Sequence, residues 1–258
     1  MSQLYFAASA RSAVGLVRSG NEDSALVSPN LIAVADGMGG HAAGEVASKI
    51  AISTLADQSQ IFANAEIDHE SADDIYLNSF HSIDADIKGA VADNPQLSGM
   101  GTTLTSLFLR GDELALLHIG DSRAYRLRGN SFEQLSVDHT VIQELLSQGA
   151  ITESEVATHP QRSVLTQVLM GGGAIELPLP IFEGKVKDRY LVCSDGLSSV
   201  LTEKEIKSLI KGKDRDEAVA ALIDATYING APDNVTVVIA DLVEEPQPEK
   251  LEKIGAAL

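Results

Sequence analysis

The sequence predicts a mixed α/β fold of the α+β type, in which antiparallel β-sheets are flanked by helices. Three short apolar runs at 102–109, 114–119 and 123–127 are joined by tight turns, which is typical of an antiparallel meander. Stretches with helical spacing of apolar residues precede and follow this meander. Because strands and helices do not alternate one by one, a regular parallel sheet is not favoured.

Elements on either side of the meander follow from the same patterns. Before it, a buried strand at 31–35 leads into apolar residues at helical spacing over 46–55 and again over 76–91. After it come two further strands and two further helices. The strands are predicted at 190–193 and 235–240, and the helices at 203–210 and 216–227.

Two segments do not fit this core pattern. Residues 138–170 combine a short helix at 141–148 with polar turns, and they are expected to form an excursion from the core. Residues 244–258 carry two prolines and mixed charge, and they are expected to be a flexible C-terminal tail. The folded domain is therefore predicted to cover residues 1–243.

Bulk composition limits the classes of partner. The chain has 258 residues, of which 19 are basic and 37 acidic, so its formal net charge is −18. Nucleic acids and anionic membranes would be repelled, and no apolar run is long enough to span a bilayer. A single cysteine, Cys193, excludes an internal disulfide and predicts a reducing, cytoplasmic setting. We expect a monomer.

Acidic residues recur at the ends of the predicted buried strands. Four aspartates share this context: Asp36, Asp121, Asp195 and Asp233. Any one of them, beside glycine or before a strand, is ordinary turn chemistry. If the four strand ends meet, the carboxylates would repel one another unless divalent cations neutralise them. Ligands that are all oxygen favour Mg²⁺ or Mn²⁺, and a two-cation site can activate water for attack on phosphorus.

Side-chain nucleophiles give no competing signal. Cys193 lacks an arginine six positions on, where Ser199 stands, so a cysteine-phosphatase loop is absent from the sequence. Neither a Gly-x-Ser-x-Gly elbow nor a phosphate-cradling Gly-x4-Gly-Lys-Ser/Thr loop occurs. A phosphate substrate would also need a cation, and Arg18 could grip two phosphate oxygens with its planar fork. The neighbouring Glu22 and Asp23 could order waters around cations.

Taken together, these segments resemble the protein phosphatase 2C family of metal-dependent phosphatases in its compact bacterial form. The resemblance runs from about residue 5 to residue 243 and rests on six motifs in order. They are Arg18-x-x-Asn21-Glu22-Asp23, Val34-Ala35-Asp36-Gly37-Met38-Gly39-Gly40, Gly99-x-Gly101-Thr102-Thr103, Ile119-Gly120-Asp121-Ser122-Arg123, Cys193-Ser194-Asp195-Gly196-Leu197 and Asp233-Asn234-x-Thr236. Each motif alone is weak, but their order and spacing are specific.

The resemblance implies two antiparallel β-sheets sandwiched between helix pairs and a serine/threonine phosphatase with two Mg²⁺ or Mn²⁺ ions. Asp36 would bridge the two cations, and the Gly37 carbonyl would bind one of them. Asp195 and Asp233 would hold the other cation. Asp121, with Asp195, would complete a third, weaker site.

Further roles are implied around this centre. Glu22 and Asp23 would act on the metals through water, and Arg18 would bind the substrate phosphate. Residues 138–170 would be the flap beside the active site and a source of substrate selectivity. The substrates would be phosphoproteins that serine/threonine kinases modify.

The general acid is the one departure from the family pattern. Animal relatives carry a histidine directly after the Asp-Gly pair, where this chain has Met38. His41, three residues later, is a candidate because histidine titrates near neutral pH, although a polar residue at a helix start is the simpler interpretation. His118 and His139 are expected to be structural.

Two other classes of protein compete with the enzyme. Gly37-x-Gly39-x-x-Ala42 imitates a dinucleotide-binding turn, with Asp57 about twenty residues on, but no second strand precedes Asp57. A non-catalytic binding protein with the same fold is the other alternative. The complete set of carboxylates argues against it, since a degenerate copy would be expected to lose ligands.

Overall fold

The computed structural model describes residues 3–39, 43–64, 67–156, 159–173 and 176–258. In these residues two antiparallel β-sheets pack face to face between two pairs of helices, as the sequence predicts. The strands are β1 (Tyr5–Ala13), β2 (Asp23–Val27), β3 (Leu31–Met38), β4 (Gly101–Thr102), β5 (Leu104–Arg110), β6 (Glu113–Ile119), β7 (Arg123–Arg128), β8 (Ser131–Gln134), β9 (Ile181–Glu183), β10 (Arg189–Cys193), β11 (Val235–Val243) and β12 (Glu252–Gly255). The α-helices are α1 (Ala43–Phe62), α2 (His69–Asp93), α3 (Val141–Ser147), α4 (Glu153–Val156), α5 (Asp195–Ser198), α6 (Glu203–Ile210) and α7 (Arg215–Ile228).

Strand order brings distant parts of the chain together. The first sheet runs β1-β11-β10-β7-β8, and the second runs β12-β2-β3-β5-β6-β9, with the two-residue β4 paired to β3. All of these pairings are antiparallel. The central strands β3 and β10 therefore end near each other although about 150 residues separate them in sequence.

Burial on both faces explains why the central strands are apolar throughout. In β3, Ala33 and Ala35 pack toward helices α1 and α2, whereas Ile32 and Val34 pack between the two sheets. A third cluster joins the outer face of the first sheet to α6 and α7. A strand covered on both sides has no solvent face and so shows an unbroken apolar run rather than alternation.

Local chemistry fixes where several helices begin. Thr202 and Glu205 form a reciprocal capping box at the start of α6. Asp68 and Asp214 cap α2 and α7 by accepting hydrogen bonds from backbone N–H groups three residues on. Asn94 ends α2, as the Asn94-Pro95 pair predicts.

The C-terminal segment corrects one expectation. The prediction of a loose tail is wrong for Glu252–Gly255, which pairs with β2 at the edge of the second sheet. Ala256 N donates to Asp23 O at 2.8 Å, and the Ala257 side chain is buried. Ile254 packs against the core between the sheets, and this contact gives an otherwise charged segment a reason to join the sheet. The domain boundary at residue 243 stays a prediction.

The excursion at 138–170 contains α3 and α4 and is tied to the sheets near both of its ends. Thr140 pairs with Leu165 across the excursion, and Thr102 of β4 pairs with Leu169. No helix among the described residues is long and apolar enough to cross a membrane.

Candidate metal centre

The predicted aspartates meet at one end of the sandwich. Asp36 lies in β3 of the second sheet, and Asp195 is the first residue of α5, directly after β10 of the first sheet. Asp121 lies in the turn between β6 and β7, and Asp233 lies in the turn before β11. The Asp36 and Asp195 side chains are within hydrogen-bonding reach of each other. The structure therefore brings all four together from strand ends that are far apart in sequence.

Like charges crowd this end of the molecule. Burial raises the pKa of Asp36 well above its ordinary value, and the charges of Asp23, Asp195, Asp121 and Asp233 raise it further. Such a carboxylate is costly in its charged form unless a cation compensates it.

Asp195 and Asp121 show the same effect. Burial and the charge of Asp233 raise the pKa of Asp195, although its contact with Asp36 acts in the opposite direction. Burial, together with Asp195 and Asp138, raises the pKa of Asp121 to about 7. Mutual repulsion among these groups therefore exceeds what the nearby Arg18 and Arg123 offset.

Asp23 lies deeper than the other acidic residues. Its side chain is fully buried at the start of β2, and its Oδ2 accepts a hydrogen bond from Ser194 Oγ at 2.7 Å. Its Oδ1 is buried without a hydrogen-bond partner among the described residues. Burial raises the pKa of Asp23 to about 7. A buried acceptor without a donor is uncommon in proteins and favours a polar ligand nearby.

Gly37 lies in a tight backbone crossing beside Asp36. A Cβ at Gly37 would lie 2.1 Å from Gly44 O, and one at Gly44 would lie 2.9 Å from Glu22 Cδ. Gly37 N donates to Glu22 O at 3.2 Å. The two glycines let β3, the start of α1 and the Glu22 segment approach one another, which a side chain at either position would prevent.

Hydrogen bonds from β4 and the following residue fix the backbone of Asp36. Thr103 N and Thr102 Oγ1 donate to Asp36 O at 2.9 Å and 3.0 Å. Asp36 N donates to Thr103 Oγ1 at 3.0 Å, and Thr103 Oγ1 in turn lies 2.7 Å from Ser122 Oγ, next to Asp121. Reciprocal bonds of this kind hold the backbone that carries the Asp36 side chain in a defined position.

Asn234 is a supporting residue whose role the sequence reasoning did not assign, although it belongs to the quoted Asp233-Asn234 motif. Its Oδ1 accepts from Glu22 N at 2.8 Å, and its Nδ2 donates to Val14 O and Gly20 O, both at 2.8 Å. Asn234 thus joins the loop that carries Arg18 and Glu22 to the turn that carries Asp233.

Arg18 contacts the acidic cluster directly. Its Nη2 donates to Asp233 Oδ2 at 2.6 Å, while half of its side chain remains exposed. The hydrogen bond with Asp233 raises the pKa of Arg18. Burial raises the pKa of Glu22, and the charge of Arg18 acts in the opposite direction. The side chains of Arg18, Glu22 and Asp233 therefore lie close enough to interact.

The histidines divide into two groups. His41, the candidate general acid, lies outside the described residues. His118 and His139 lie against each other with ring centroids 4.9 Å apart and ring planes tilted by 32°, and the His139 Nδ1 accepts from Gly120 N at 3.2 Å. Burial lowers the pKa of His118 to about 4, so this ring is neutral at physiological pH. Its two nitrogens bond to Thr105 Oγ1 at 2.8 Å and to Val137 O at 3.0 Å, whereas His139 is the ring that supports the Gly120-Asp121 turn.

The donor set fits hard divalent cations. The groups that converge are carboxylate oxygens, with no thiolate or imidazole nitrogen among those described, and hard cations prefer such ligands. In the described part of the chain, no three or more acidic, histidine or cysteine side chains are drawn together closely enough to hold a metal ion as they stand. Asp233 is instead paired with Arg18. The shared electrostatics of Asp36, Asp195 and Asp121 nevertheless favour a cation here, because a cation would relieve the repulsion among these residues.

Comparison with known proteins places the chain in a family. Residues 21–227 match the family model for protein phosphatase 2C. The chain therefore belongs to the protein phosphatase 2C family, as the motifs indicate.

Two named relatives show the extent of the similarity. The serine/threonine protein phosphatase PstP of Mycobacterium tuberculosis is 42% identical over 238 residues, which are 91% of this chain and 45% of that protein. This chain thus spans about half the length of that relative. The serine/threonine phosphatase stp of Listeria monocytogenes is 31% identical over 233 residues, which are 88% of this chain and 92% of that protein.

Solved structures agree with the fold. A crystal structure of the M. tuberculosis phosphatase PstP/Ppp has a TM-score of 0.86 at 40% identity and covers 92% of this chain and 98% of that one. The catalytic domain of PstP, crystallised in complex with two manganese ions, has a TM-score of 0.83 at 39% identity and covers 93% of this chain and 100% of that one.

Proposed function

We propose that this chain is a metal-dependent protein serine/threonine phosphatase that hydrolyses phosphoserine and phosphothreonine with a water molecule activated by a binuclear Mg²⁺ or Mn²⁺ centre. The observation that carries the proposal is the convergence of Asp36, Asp195, Asp121 and Asp233 at one end of the sandwich, with pKa values of the first three raised by burial and by one another. Relatives named as serine/threonine phosphatases, and a relative crystallised with two manganese ions, support the assignment.

Each ligand has a proposed role. Asp36 bridges the two cations, and the carbonyl of Gly37 binds one of them. Asp195 and Asp233 hold the other cation, and Asp121 with Asp195 forms a third, weaker site. The charges of all the other aspartates in the cluster raise the pKa of Asp36, so Asp36 lies at its centre, and this position supports the bridging role.

When bound, the cations lower the pKa of water and polarise the phosphate, so that no side-chain nucleophile is needed. Glu22 and Asp23 orient waters around the centre, a role that the unpartnered Oδ1 of Asp23 supports. Arg18 grips the substrate phosphate, since its guanidinium lies at the edge of the acidic cluster and remains half exposed. Before the substrate binds, the carboxylates balance the charge of the arginine. When the phosphate binds, the arginine can pair with it.

Two further proposed roles concern the leaving group and the substrate. His41 is proposed as the proton donor, because Met38 cannot supply a proton. The flap at 138–170 contributes to substrate selectivity, and the substrates are phosphoproteins produced by serine/threonine kinases in signalling. The proposal includes a cytoplasmic setting, a monomer, and a phosphatase domain that covers residues 1–243 together with β12.

Hydrolysis of an aryl phosphate and of a phosphothreonine peptide, with and without Mn²⁺, tests the proposed activity. We expect turnover of both only when Mn²⁺ is present. Asp36→Asn should abolish it while the circular dichroism spectrum is unchanged, and the exposed Asp57→Asn on α1 serves as the matched control. Metal-independent turnover, or full activity in Asp36→Asn, would refute the assignment.

A further inference from the structure

A buried carboxylate outside the metal centre holds the residues that directly follow the flap at 138–170. Asp84, on helix α2, is 6% exposed. Its Oδ1 accepts from Gly171 N at 2.7 Å, and its Oδ2 accepts from Gly173 N at 2.9 Å. We propose that Asp84 is a positioning residue that sets the place of residues 169–173, here called the flap foot, and thereby favours phosphopeptides over small phosphate esters.

The contact between Asp84 and the flap foot is specific in geometry. A buried carboxylate needs hydrogen-bond donors, and two backbone N–H groups supply bonds that are stronger than neutral ones. Gly171 has φ +75° and Gly173 has φ +91°, a conformation that favours glycine. A Cβ at Gly171 would lie 2.8 Å from Lys88 Cα, so the foot lies flush against α2.

The other side of the flap foot contacts β4, which pairs with the strand that carries Asp36. Thr102 and Leu169 exchange two backbone hydrogen bonds, each 3.0 Å long. Thr102 also donates its hydroxyl to Asp36 O at 3.0 Å. The foot is therefore held between helix α2 on one side and the backbone of Asp36 on the other.

Between these two attachments lies an apolar rim. Met170 is 46% exposed. A Cβ at Gly101 would lie 2.8 Å from Met170 Cγ and 3.6 Å from Met38 Cγ, so both methionine side chains flank Gly101. Met38 follows the Asp36-Gly37 pair directly, which places the rim beside the metal centre. Methionine is flexible and suits contact with varied apolar side chains.

The position of Met170 depends on the foot, and the foot depends on Asp84. A phosphopeptide carries residues on both sides of its phosphate and can contact the rim, whereas an aryl phosphate carries a single ring. This inference rests on the proposed phosphatase activity. Loss of the Asp84 contact should therefore misplace the peptide more than the small ester, since small misplacements can cost up to roughly a hundredfold in rate.

The central test compares two substrates in one variant. Asp84→Ala is expected to lower kcat/KM for a phosphothreonine peptide about tenfold, mainly through KM, while kcat/KM for an aryl phosphate changes less than about twofold. Asp84→Asn keeps one acceptor oxygen and should give an intermediate loss. Asp86→Ala is the matched control, because Asp86 lies exposed on the same helix and bonds to Thr54 instead of the flap foot.

Two further measurements keep the test decisive. In the wild-type protein the Gly171 and Gly173 amide protons should exchange slowly with solvent, and in Asp84→Asn at least one should exchange faster. Met170→Ala, which leaves the Asp84 contacts intact, should reproduce the peptide-selective loss if Asp84→Ala fails to fold.

The outcomes distinguish a failure of the proposed role of Asp84 from a failure of the proposed phosphatase activity. Equal losses for both substrates in a folded Asp84 variant, or unprotected Gly171 and Gly173 amides in the wild type, would overturn the role of Asp84. If the wild type hydrolyses neither substrate with Mn²⁺, the proposed phosphatase activity fails. In that case the claim of peptide selectivity is overturned as well. The amide-exchange result still decides separately whether Asp84 holds the flap foot.

Discussion

Arg18 Nη2 donates to Asp233 Oδ2 at 2.6 Å, which joins the proposed phosphate-binding residue to a proposed metal ligand. Both side chains are partly exposed, at 51% and 32%, so the pair itself contributes at most about 1 kcal/mol to stability. Its importance is positional. A phosphate bound to a cation held by Asp233 would also lie close to the Arg18 guanidinium.

Replacement of Arg18 should weaken substrate binding. We expect Arg18→Ala to raise KM for an aryl phosphate about tenfold or more, because a charge-assisted hydrogen bond contributes about 1.5–3 kcal/mol. Arg18→Lys should recover only part of this, since a lysine cannot form the bidentate contact. Steady-state kinetics at saturating Mn²⁺ measure the effect. An unchanged KM in Arg18→Ala would rule out the phosphate-binding role.

Asp36 should have opposite effects on stability with and without metal. Asp36→Asn removes a carboxylate that burial and like charges disfavour, so the metal-free variant should have a higher melting temperature than the metal-free wild type. Mn²⁺ at about 100 times its Kd should stabilise the wild type by about 2.7 kcal/mol but stabilise the variant far less. Thermal unfolding in chelator and in Mn²⁺ measures both. Equal stabilisation of the two proteins by Mn²⁺ would contradict a bridging role for Asp36.

His118 predicts a pH-dependent contribution to stability. Burial and the neighbouring His139 lower its pKa from 6.5 to about 4, so the folded state favours the neutral ring. The stabilisation is full above about pH 6.5 and is lost as the pH falls toward 4, by about 3 kcal/mol in all. Urea unfolding of the metal-free protein from pH 7.5 to 4.5 should therefore show a steeper loss in the wild type than in His118→Gln. Parallel profiles would exclude this contribution.

Gly255 tests whether the C-terminal strand is an integral part of the sheet. Its φ is +75°, and a Cβ there would lie 2.3 Å from Asp23 O. Gly212 has the same φ of +75°, but a Cβ there would meet nothing within 4 Å. Gly255→Ala should thus cost about 1–3 kcal/mol more than Gly212→Ala, because overpacking adds to the shared backbone strain. Equal costs in urea unfolding would indicate that β12 does not stay packed against β2.

Most of the strands that the sequence predicted contain an apolar run, and those that it missed, including the buried β2, are short or mixed in composition. β3, β6, β10 and β11 are each built around a run of mainly apolar residues, and each was predicted within a few residues. β1 carries serine and arginine among its apolar residues, and β12 is only four residues long with two charges. Their stability comes from partner strands far away in sequence, which no local pattern reveals.

The candidate site divides in a similar way. The four aspartates could be predicted because each lies at a strand end, and antiparallel sheets in a sandwich bring such ends together. Asp84 could not, because an aspartate in a helix is usually exposed and its two donors lie 87 and 89 residues away. Asn234 was visible in a motif, but its contacts to Glu22, Val14 and Gly20 depend on the tertiary fold.

The most direct test of the metal centre is a crystal structure of the protein grown with Mn²⁺, with anomalous scattering recorded near the manganese absorption edge. Two strong anomalous peaks are expected, roughly 3.5–4 Å apart. Asp36 should contact both, the Gly37 carbonyl should contact one, and Asp195 and Asp233 should contact the other. No peak within reach of the Asp36 carboxylate at saturating Mn²⁺ would contradict the binuclear centre.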